Sequence, residues 1–443
     1  MEYNPNPEYI PASSERTFST ADIPVRISER QRSVSDVPVR SSERTRRTPD
    51  APARPAERPV RASRPVSRPR SKRVVLWITS LFLVLTLSLS LFTCVLPDKS
   101  FSESENRGLR QRPKLTFSSL MDGSWFEDVP AYFADQFAGR DLFMELDLLR
   151  KQAGGSRENG GVYLGKHDQL YLIPETPNWE SLNRNLAAVN GFAARQDKLR
   201  HYMCVVPNAV TVQPGNLPNN APVPDQIEFL GQIASSLQGV TFADVTPALT
   251  AHAEERIFYF TDHHWTTLGA KYAFDSLAVA MGIDAVFGSY RSETVSTTFE
   301  GTLASKSGRH AFRDTVDIAV PETEILYNVT YTDTMRKTGS IFEPDALSGK
   351  DAYTVFFGGN HPRVDINTTA ETGRKLLLFK DSYANCLMQF LWPYFDEIVM
   401  VDPRYCYESA DDIVRQEGIT DVLYLYNADT FGTDNSLYAV LGE

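Results

Sequence analysis

Compact apolar runs alternate with amphipathic stretches along the second half of the chain. The apolar runs have the length of buried strands, and the amphipathic stretches place their apolar side chains on one face of a helix. Strands are predicted at 202–206, 240–245, 376–379, 398–401 and 422–426, and helices at 179–195, 226–237, 267–281, 383–391 and 410–416. Strands that alternate with helices predict an α/β domain, in which a mostly parallel sheet is covered on both faces.

Two segments depart from this rhythm. Residues 160–173 carry two apolar arms around Gly165-Lys166-His167-Asp168, which predicts a β-hairpin. Residues 285–365 are rich in Thr and Asp and contain short β-like runs, which predicts a β-rich insertion.

The 23 residues from Val74 to Leu96 carry no charge, so they are long and apolar enough to form a transmembrane helix. Lys72 and Arg73 precede them, and a positive flank is expected to remain in the cytoplasm. We therefore predict a single-pass protein of the cell membrane with a cytoplasmic N-terminus and an extracytoplasmic domain at 97–443. A cleaved signal peptide is the alternative, but such peptides lie at the extreme N-terminus and have shorter apolar cores.

Residues 1–73 form a basic, proline-rich segment with 16 Arg and Lys against 9 Asp and Glu. The motif Asp-x-Pro-x-Arg recurs every 14 residues, at Asp22, Asp36 and Asp50. With so few large apolar side chains, burial cannot offset the entropy of folding, and we expect this segment to be disordered. It could serve as a spacer, or as an arm that contacts anionic lipid headgroups or a cytoplasmic partner.

The remaining part of the chain, 97–443, is acidic, with 29 basic against 47 acidic side chains. An acidic domain argues against nucleic acid as a partner. Cys94 lies in the predicted span, and the chain has no CxxC pair. Cys386 and Cys406 could form a disulfide or remain buried free thiols.

Two motifs supply the residue types of nucleophilic catalysis. Asp262 and His264 lie in Thr-Asp-His-His-Trp, a loop predicted between an apolar strand and a helix. Ser382 follows the apolar run 376–379 and precedes a helix, which places it at the carboxyl end of a strand. A serine hydroxyl needs a histidine to accept its proton, and the histidine needs a carboxylate to fix its tautomer. Asp262, His264 and Ser382 are therefore candidate acid, base and nucleophile.

Each motif also has a purely structural interpretation. Serine is a preferred helix N-cap, so Ser382 could serve only to begin its helix. A single histidine beside a sheet is commonly structural. Asp262, His263 and His264 are compatible with metal binding, but no further ligand follows at a recognisable spacing, so no metal or other cofactor is predicted.

A glycine pair supplies further candidates in Gly358-Gly359-Asn360-His361-Pro362. Glycines let the backbone approach a ligand closely, and an asparagine amide can donate to an oxyanion. The first N–H groups of the helix at Ser382 and Tyr383 can do the same. We therefore count Gly359, Asn360 and Tyr383 as oxyanion or substrate candidates, with a tight structural turn as the alternative for the glycines.

Taken together, these blocks resemble the bacterial DHHW family. The resemblance rests on Asp-His-His-Trp at 262–265, Gly-Gly-Asn-His-Pro at 358–362, Leu-Leu-Leu-Phe-Lys-Asp-Ser-Tyr-Ala-Asn at 376–385 and Asp-Pro-Arg-Tyr at 402–405. Shorter matches are Glu-Asn-Arg at 105–107, Asp-Gln-Phe-Ala-Gly-Arg-Asp at 135–141 and Gly-Val-Tyr-Leu-Gly-Lys at 161–166. That family is similar to alginate acetylation proteins of the AlgX and AlgJ type, which have an SGNH-hydrolase-like domain.

The resemblance implies a three-layer α/β/α domain and assigns acid, base and nucleophile to Asp262, His264 and Ser382. Lys380 stands where the common Gly-Asp-Ser motif of SGNH hydrolases has glycine. The implied activity is acyl transfer, with acetyl as the expected group, to or from hydroxyls of a cell-envelope or exported polysaccharide. A membrane-bound O-acyltransferase is the implied partner. An esterase would result if water took the acyl group, and a non-catalytic glycan-binding or scaffolding protein is the alternative.

Overall fold

The computed structural model describes residues 72–102, 104–105, 107–284 and 289–442. The predicted disordered segment lies outside the described residues, apart from Lys72 and Arg73. Helices in the described ranges are α1 (Lys72–Val95), α2 (Phe117–Met121), α3 (Ser124–Gln136), α4 (Arg140–Ala153), α5 (Trp179–Arg195), α6 (Ala209–Val212), α7 (Gln226–Ser236), α8 (Thr246–Ala251), α9 (Thr267–Ala280), α10 (Thr302–Ser307), α11 (Tyr383–Leu391), α12 (Ala410–Glu417), α13 (Ala428–Thr433) and α14 (Leu437–Val440). Strands are β1 (Phe101–Ser102), β2 (Arg107–Gly108), β3 (Glu158–Asn159), β4 (Val162–Leu164), β5 (Leu170–Leu172), β6 (Arg200–Val206), β7 (Thr241–Phe242), β8 (Tyr290–Phe299), β9 (Asp314–Pro321), β10 (Tyr327–Tyr331), β11 (Arg336–Thr338), β12 (Arg363–Thr368), β13 (Lys375–Lys380), β14 (Glu397–Val401) and β15 (Asp421–Asn427).

The helix α1 is a candidate membrane span by its length and composition. Its 24 residues cover the predicted span almost completely. Its large apolar side chains are exposed along its length, with Trp77 76% exposed. A surface of this kind is unfavourable in water, so it requires lipid or another apolar partner.

Eight strands form the main sheet, in the order β11-β10-β12-β14-β13-β15-β6-β7. The five strands from β14 to β7 are parallel. The three strands at the other edge are antiparallel. The predicted α/β domain with a mostly parallel sheet is confirmed.

Helices cover both faces of this sheet at its centre, which explains why the central strands β13 and β15 carry continuous apolar runs. In β13, Leu376 and Leu378 face a core that contains residues of α9 and α11. Leu377 and Phe379 face the opposite core, which contains residues of α5, α7 and α12. A strand buried on both faces reads as a continuous apolar run, and the three-layer arrangement follows.

The predicted insertion is divided between two sheets. Strands β8 and β9 form an antiparallel pair of their own, whereas β10, β11 and β12 extend the main sheet. The hairpin predicted at 160–173 is formed by β4 and β5. The strand predicted at 240–245 is limited to the two residues of β7 at the sheet edge.

The four cysteines are free, and those at 386 and 406 are buried. The disulfide between Cys386 and Cys406 that the sequence left open is therefore not formed. Buried thiols behave as small apolar groups, and this is their role here.

Candidate active site

Ser382 lies between β13 and α11, at the carboxyl end of a parallel strand. It occupies the N-cap position of α11, but its side chain makes no capping hydrogen bond. Asp381 instead accepts from the backbone N–H of Tyr383 at 2.9 Å and from that of Asn427 at 2.9 Å. Because Asp381 satisfies the first donor of the helix, the Ser382 hydroxyl is free for another contact.

Asp262 and His264 lie in a tight loop closed by a bridge between Phe258 and Trp265. The backbone N–H of His264 donates to Asp262 Oδ1 at 3.0 Å, and His264 Nδ1 lies 2.6 Å from the same oxygen. A carboxylate oxygen only accepts, so Nδ1 carries the proton in this contact. The loop thus fixes both the position and the tautomer of the histidine.

The three predicted side chains are hydrogen-bonded in series. His264 Nε2 lies 2.7 Å from Ser382 Oγ. Because Nδ1 bears the imidazole hydrogen, Nε2 has a free lone pair and can accept the serine proton. Asp262 is 3% exposed and His264 6% exposed, whereas Ser382 is only partly buried. The serine is therefore the member of the series that a reactant can approach.

Tyr353 holds the histidine and the serine from the other side. Its ring stacks on the imidazole of His264, with centroids 3.8 Å apart and planes 11° from parallel. Its hydroxyl donates to the backbone carbonyl of Ser382 at 2.9 Å. This tyrosine lies outside the sequence motifs, and no local pattern distinguishes it from the other buried aromatic residues.

Thr302 supports the second oxygen of Asp262. Its backbone N–H and its hydroxyl both donate to Asp262 Oδ2, at 2.8 and 2.9 Å. Burial alone would raise the pKa of Asp262, but the adjacent His263 and His264 and these hydrogen bonds hold that pKa well below its usual range. Asp262 is consequently ionised at neutral pH.

Gly301, just before Thr302, brings its backbone against Asp262. A Cβ atom at this position would lie 2.5 Å from Asp262 Oδ2 and would overlap the aspartate's own Cβ atom. Gly301 has a negative φ, so it is the close approach that requires glycine here.

Asp314, at the start of β9, anchors the loop from the opposite side. It accepts from the backbone N–H groups of Phe260 at 3.1 Å and Thr261 at 2.7 Å, and from Arg256 at 2.8 Å. The Thr261 hydroxyl donates to it as well, at 2.6 Å. A fully buried carboxylate with four donors fixes the two residues that precede Asp262.

His263 makes its hydrogen bond to Thr302 and not to the serine. Its Nδ1 lies 2.8 Å from Thr302 Oγ1, and the threonine proton is already directed to Asp262, so His263 Nδ1 is the donor. Burial, and then the charge of His264, lowers the pKa of His263 to about 3. His263 is therefore a neutral support of the site at physiological pH.

Asp262, His263 and His264 also meet the distance requirement for a metal site, since their ligand atoms lie within 4.8 Å of one another. Both ring nitrogens of His264 are engaged, however, with Asp262 and Ser382. A metal held by all three residues would break one of these contacts, so the geometry favours the hydrogen-bonded series.

The candidate oxyanion donors differ in whether their N–H groups are already hydrogen-bonded. The backbone N–H of Tyr383 donates to Asp381, so it is occupied in this arrangement. The N–H of Ser382 has no acceptor among the described residues. Gly359 and Asn360 lie in a loop with positive φ at Phe357, Gly358 and Gly359, and they contact the first turn of α11 through Asn385.

Lys380 determines how Asn360 is oriented. Its ammonium is 2% exposed and donates to Asn360 Oδ1 at 3.0 Å and to Asn385 Oδ1 at 2.9 Å. An ammonium has no acceptor, so Asn360 must turn its oxygen toward Lys380 and its NH₂ group away. Burial lowers the pKa of Lys380 to about 8, although the nearby Asp402 acts in the opposite direction.

The fold and the arrangement at its sheet edge define an SGNH hydrolase-like α/β protein. Residues 170–348 match the family model of the SGNH hydrolase-like domain of the acetyltransferase AlgX. This match includes Asp262 and His264 and ends before Asn360 and Ser382.

Individual relatives agree with this class. The chain is 26% identical over 179 residues to the probable alginate O-acetylase AlgJ of Pseudomonas syringae pv. tomato, a match that covers 37% of this chain and 44% of the relative. It is similar to the solved DHHW family protein from Eubacterium siraeum, with 26% identity, a TM-score of 0.56, and coverage of 64% of this chain and 95% of that one. Bacillus cereus PatB1, solved with a sulfonyl adduct, shares the fold at 16% identity and a TM-score of 0.54, over 62% of this chain and 97% of its own. The predicted resemblance to the DHHW family and to AlgX and AlgJ is confirmed.

Proposed function

We propose that this protein transfers acetyl groups to or from hydroxyls of a cell-envelope or exported polysaccharide, with Ser382 as nucleophile, His264 as base and Asp262 as the orienting acid. The observation that carries the proposal is the contact between Ser382 Oγ and His264 Nε2 at 2.7 Å, made by a serine that is released from helix capping. The relation to acetyltransferase AlgX and to a probable alginate O-acetylase supports acetyl as the group and a polysaccharide as the substrate class. The chain spans only 44% of the length of that O-acetylase, so the substrate itself is proposed at the level of its class.

The first half of the reaction loads the acetyl group onto the serine. His264 Nε2 takes the proton of Ser382 Oγ as that oxygen attacks the acetyl carbonyl of the donor. The negative charge that develops on the carbonyl oxygen is stabilised by the N–H of Ser382 and by the NH₂ group of Asn360. His264 then gives its proton to the leaving oxygen of the donor, and an acetyl ester of Ser382 remains.

The second half repeats these steps with the acceptor. His264 removes a proton from a sugar hydroxyl, the resulting oxygen attacks the acetyl ester, and the proton returns to Ser382 Oγ when the ester bond breaks. If water takes the place of the sugar hydroxyl, the product is acetate and the protein acts as an esterase.

The proposal includes a position outside the cell membrane. The exposed apolar helix α1 supports an anchor, and the basic residues that precede it support a cytoplasmic N-terminal segment at 1–73 and an extracytoplasmic domain at 97–443. A donor delivered across the bilayer by a membrane-bound O-acyltransferase would meet the domain beside the membrane. This partner is proposed from the family resemblance.

Labelling with phenylmethylsulfonyl fluoride tests the nucleophile. In detergent-solubilised full chain we expect a sulfonyl adduct on Ser382, located by peptide mass spectrometry, together with hydrolysis of p-nitrophenyl acetate. Both should be lost in Ser382→Ala. Ser409 is a matched control, because it is an exposed N-cap serine without a side-chain capping bond and its labelling should be negligible.

The same experiment separates the alternatives. An unlabelled Ser382 in a folded chain that neither hydrolyses the ester nor acetylates an oligosaccharide would leave a non-catalytic glycan-binding protein. Acetate as the sole product in the presence of oligosaccharide acceptors would identify an esterase. Loss of activity with a chelator, restored by added metal, would instead support a metal hydrolase that uses Asp262, His263 and His264 as ligands.

Lys380 provides a pH test of the same proposal. Above about pH 8 its ammonium loses the proton and no longer fixes the amide of Asn360, so kcat for p-nitrophenyl acetate should fall as the pH rises through this value. Lys380→Met should lower kcat by about tenfold at pH 7, equivalent to one lost hydrogen bond to the oxyanion donor, and should remove the alkaline decline. Lys375→Met, in the same strand but paired with Glu397 at the surface, should keep the wild-type profile. An alkaline decline that persists in Lys380→Met would contradict this role.

A further inference from the structure

A cleft opens at the carboxyl end of β15, on the edge of the sheet that also carries Ser382. It encloses about 360 Å³ and is lined by residues that follow β15, by the start of α5 and by the first turns of α7. Strand β15 is the direct neighbour of β13, and parallel strands lie about 4.8 Å apart. The backbone N–H of Asn427, at the end of β15, donates to Asp381 beside Ser382. The cleft and the serine are therefore held on one rigid frame.

Trp179 gives the cleft an exposed aromatic wall. It is the first residue of α5 and is 48% exposed, and its ring meets Phe229 in a T-shaped contact with centroids 6.2 Å apart. The backbone of Asn178 donates to the carbonyl of Gly432 at 2.8 Å, which fixes the start of α5 against α13. A rigid, half-exposed indole offers a flat apolar surface to the C–H face of a pyranose ring, with no ordering of the side chain required.

Four of the polar side chains that line the cleft are carboxylates, and the others are Thr176, Gln226, Gln232 and the indole of Trp179. Glu175, Asp225, Glu228 and Asp429 line it, and the described lining residues include no lysine or arginine. Asp225 caps α7 through the N–H of Glu228, and Asp429 accepts from the backbone N–H of Glu175, so these two carboxylates have fixed positions. Burial raises the pKa of Asp429 to about 6, and a cation bound nearby would reverse that shift. Carboxylates accept hydrogen bonds from hydroxyl and amino groups and repel other carboxylates.

We propose that this cleft binds the acceptor glycan of the transfer reaction, and that this glycan is a chain of neutral or amino-bearing pyranoses without acidic groups. The inference rests on the proposed function, because it takes Ser382 as the site of transfer. It separates this chain from any acetyltransferase that acts on a polyuronate, for which a cleft of four carboxylates would be repulsive.

Three β-1,4-linked hexasaccharides of similar shape test the charge preference: glucosamine hexamer, cellohexaose and mannuronate hexamer. Calorimetry would be performed on the full chain in detergent, carrying Ser382→Ala so that no transfer occurs. We expect the strongest binding for the glucosamine hexamer, weaker binding for cellohexaose and none for the mannuronate hexamer. Binding of the mannuronate hexamer at least as tightly as the others, or binding of none of the three, would overturn the proposal.

Variants place the binding in the cleft. Trp179→Ala should weaken binding of the glucosamine hexamer by at least about tenfold, since a stacked aromatic contact is lost. Trp179→Phe, which keeps a smaller aromatic surface, should retain most of the affinity, and a thermal melt checks that each variant is folded. Tyr407→Ala is the control, because Tyr407 is 92% exposed and lies outside the cleft. Equal affinity in wild type and Trp179→Ala would show that the acidic surface attracts amino sugars without a site.

A triple variant tests whether the carboxylates of the cleft determine the preference for the glycan. The combination Glu175→Gln, Asp225→Asn and Glu228→Gln removes three charges and keeps a capping side chain at the start of α7. It should reduce the preference for the glucosamine hexamer over cellohexaose by tenfold or more, and an unchanged preference would contradict the charge argument. Because binding is measured without catalysis, an unlabelled Ser382 would refute the enzyme while leaving this binding result intact.

Discussion

Asp262→Asn is expected to lower kcat for p-nitrophenyl acetate by about 10⁴-fold while leaving the domain folded. The reason is the tautomer of His264. An asparagine that turns its NH₂ group to Nδ1 stabilises the imidazole with its proton on Nε2, and that nitrogen can no longer accept the proton of Ser382 Oγ. The measurement is steady-state hydrolysis by the solubilised full chain, with a thermal melt of the same sample.

The control is a second imidazole–carboxylate pair in the domain. Glu255 lies 2.5 Å from His252 Nδ1 on the exposed surface, outside the hydrogen-bonded series of Asp262, His264 and Ser382. Glu255→Gln should keep the wild-type kcat within about twofold, since exposed ion pairs contribute little. If Asp262→Asn kept more than a tenth of the wild-type turnover, the aspartate would not be the orienting acid.

Gly301→Ala is expected to damage activity and stability together. The added methyl group cannot be accommodated unless Asp262 or the start of α10 moves, because it would overlap the aspartate side chain. Such overpacking lowers the free energy of unfolding by about 1–3 kcal/mol. A displacement of the acid by about 1 Å should lower kcat/KM by about 10²-fold.

Gly339→Ala is the control that separates the effect of the overlap with Asp262 from the effect of replacing any glycine by alanine. A Cβ atom at Gly339 meets no atom within 4 Å, so this variant should match the wild type in urea denaturation and in ester hydrolysis. Wild-type activity in Gly301→Ala would mean that Asp262 is not held where the structure has it.

The sequence predicted those parts of the fold that depend on local pattern. The continuous apolar runs at 376–379 and 422–426 form strands that are buried on both faces. A strand buried on both faces has no solvent-facing side chains, so a continuous apolar run predicts it. The strand predicted at 240–245 is longer than the two residues of β7, since the apolar residues that follow β7 pack into the core without pairing to another strand. Strands β10 to β12 joined the main sheet, a long-range pairing that their short and polar sequences do not encode.

The candidate site divides in the same way. The motif residues Asp262, His264 and Ser382 could be selected from the sequence because each belongs to a recognisable block. Thr302, Tyr353 and Asp314 could not, because their contacts with the site span between 29 and 53 residues of chain and involve ordinary residue types. Lys380 is recognisable in the sequence as a lysine at the end of a wholly apolar strand, which needs buried hydrogen-bond partners. The sequence did not identify those partners.

The order of the strands has a consequence for how the protein is made. Strand β15 is near the C-terminus of the chain, yet it lies inside the sheet, between β13 and β6, and pairs with both. Its last residue also supplies the N–H that holds Asp381 beside the serine. During synthesis the proposed acid and base emerge more than a hundred residues before the proposed nucleophile, and the sheet cannot close until β15 has been inserted. An incomplete chain that ends between residues 383 and 420 thus contains all three candidate side chains but lacks the strand that completes their frame, so any reactivity should appear only after β15 has been synthesised and inserted.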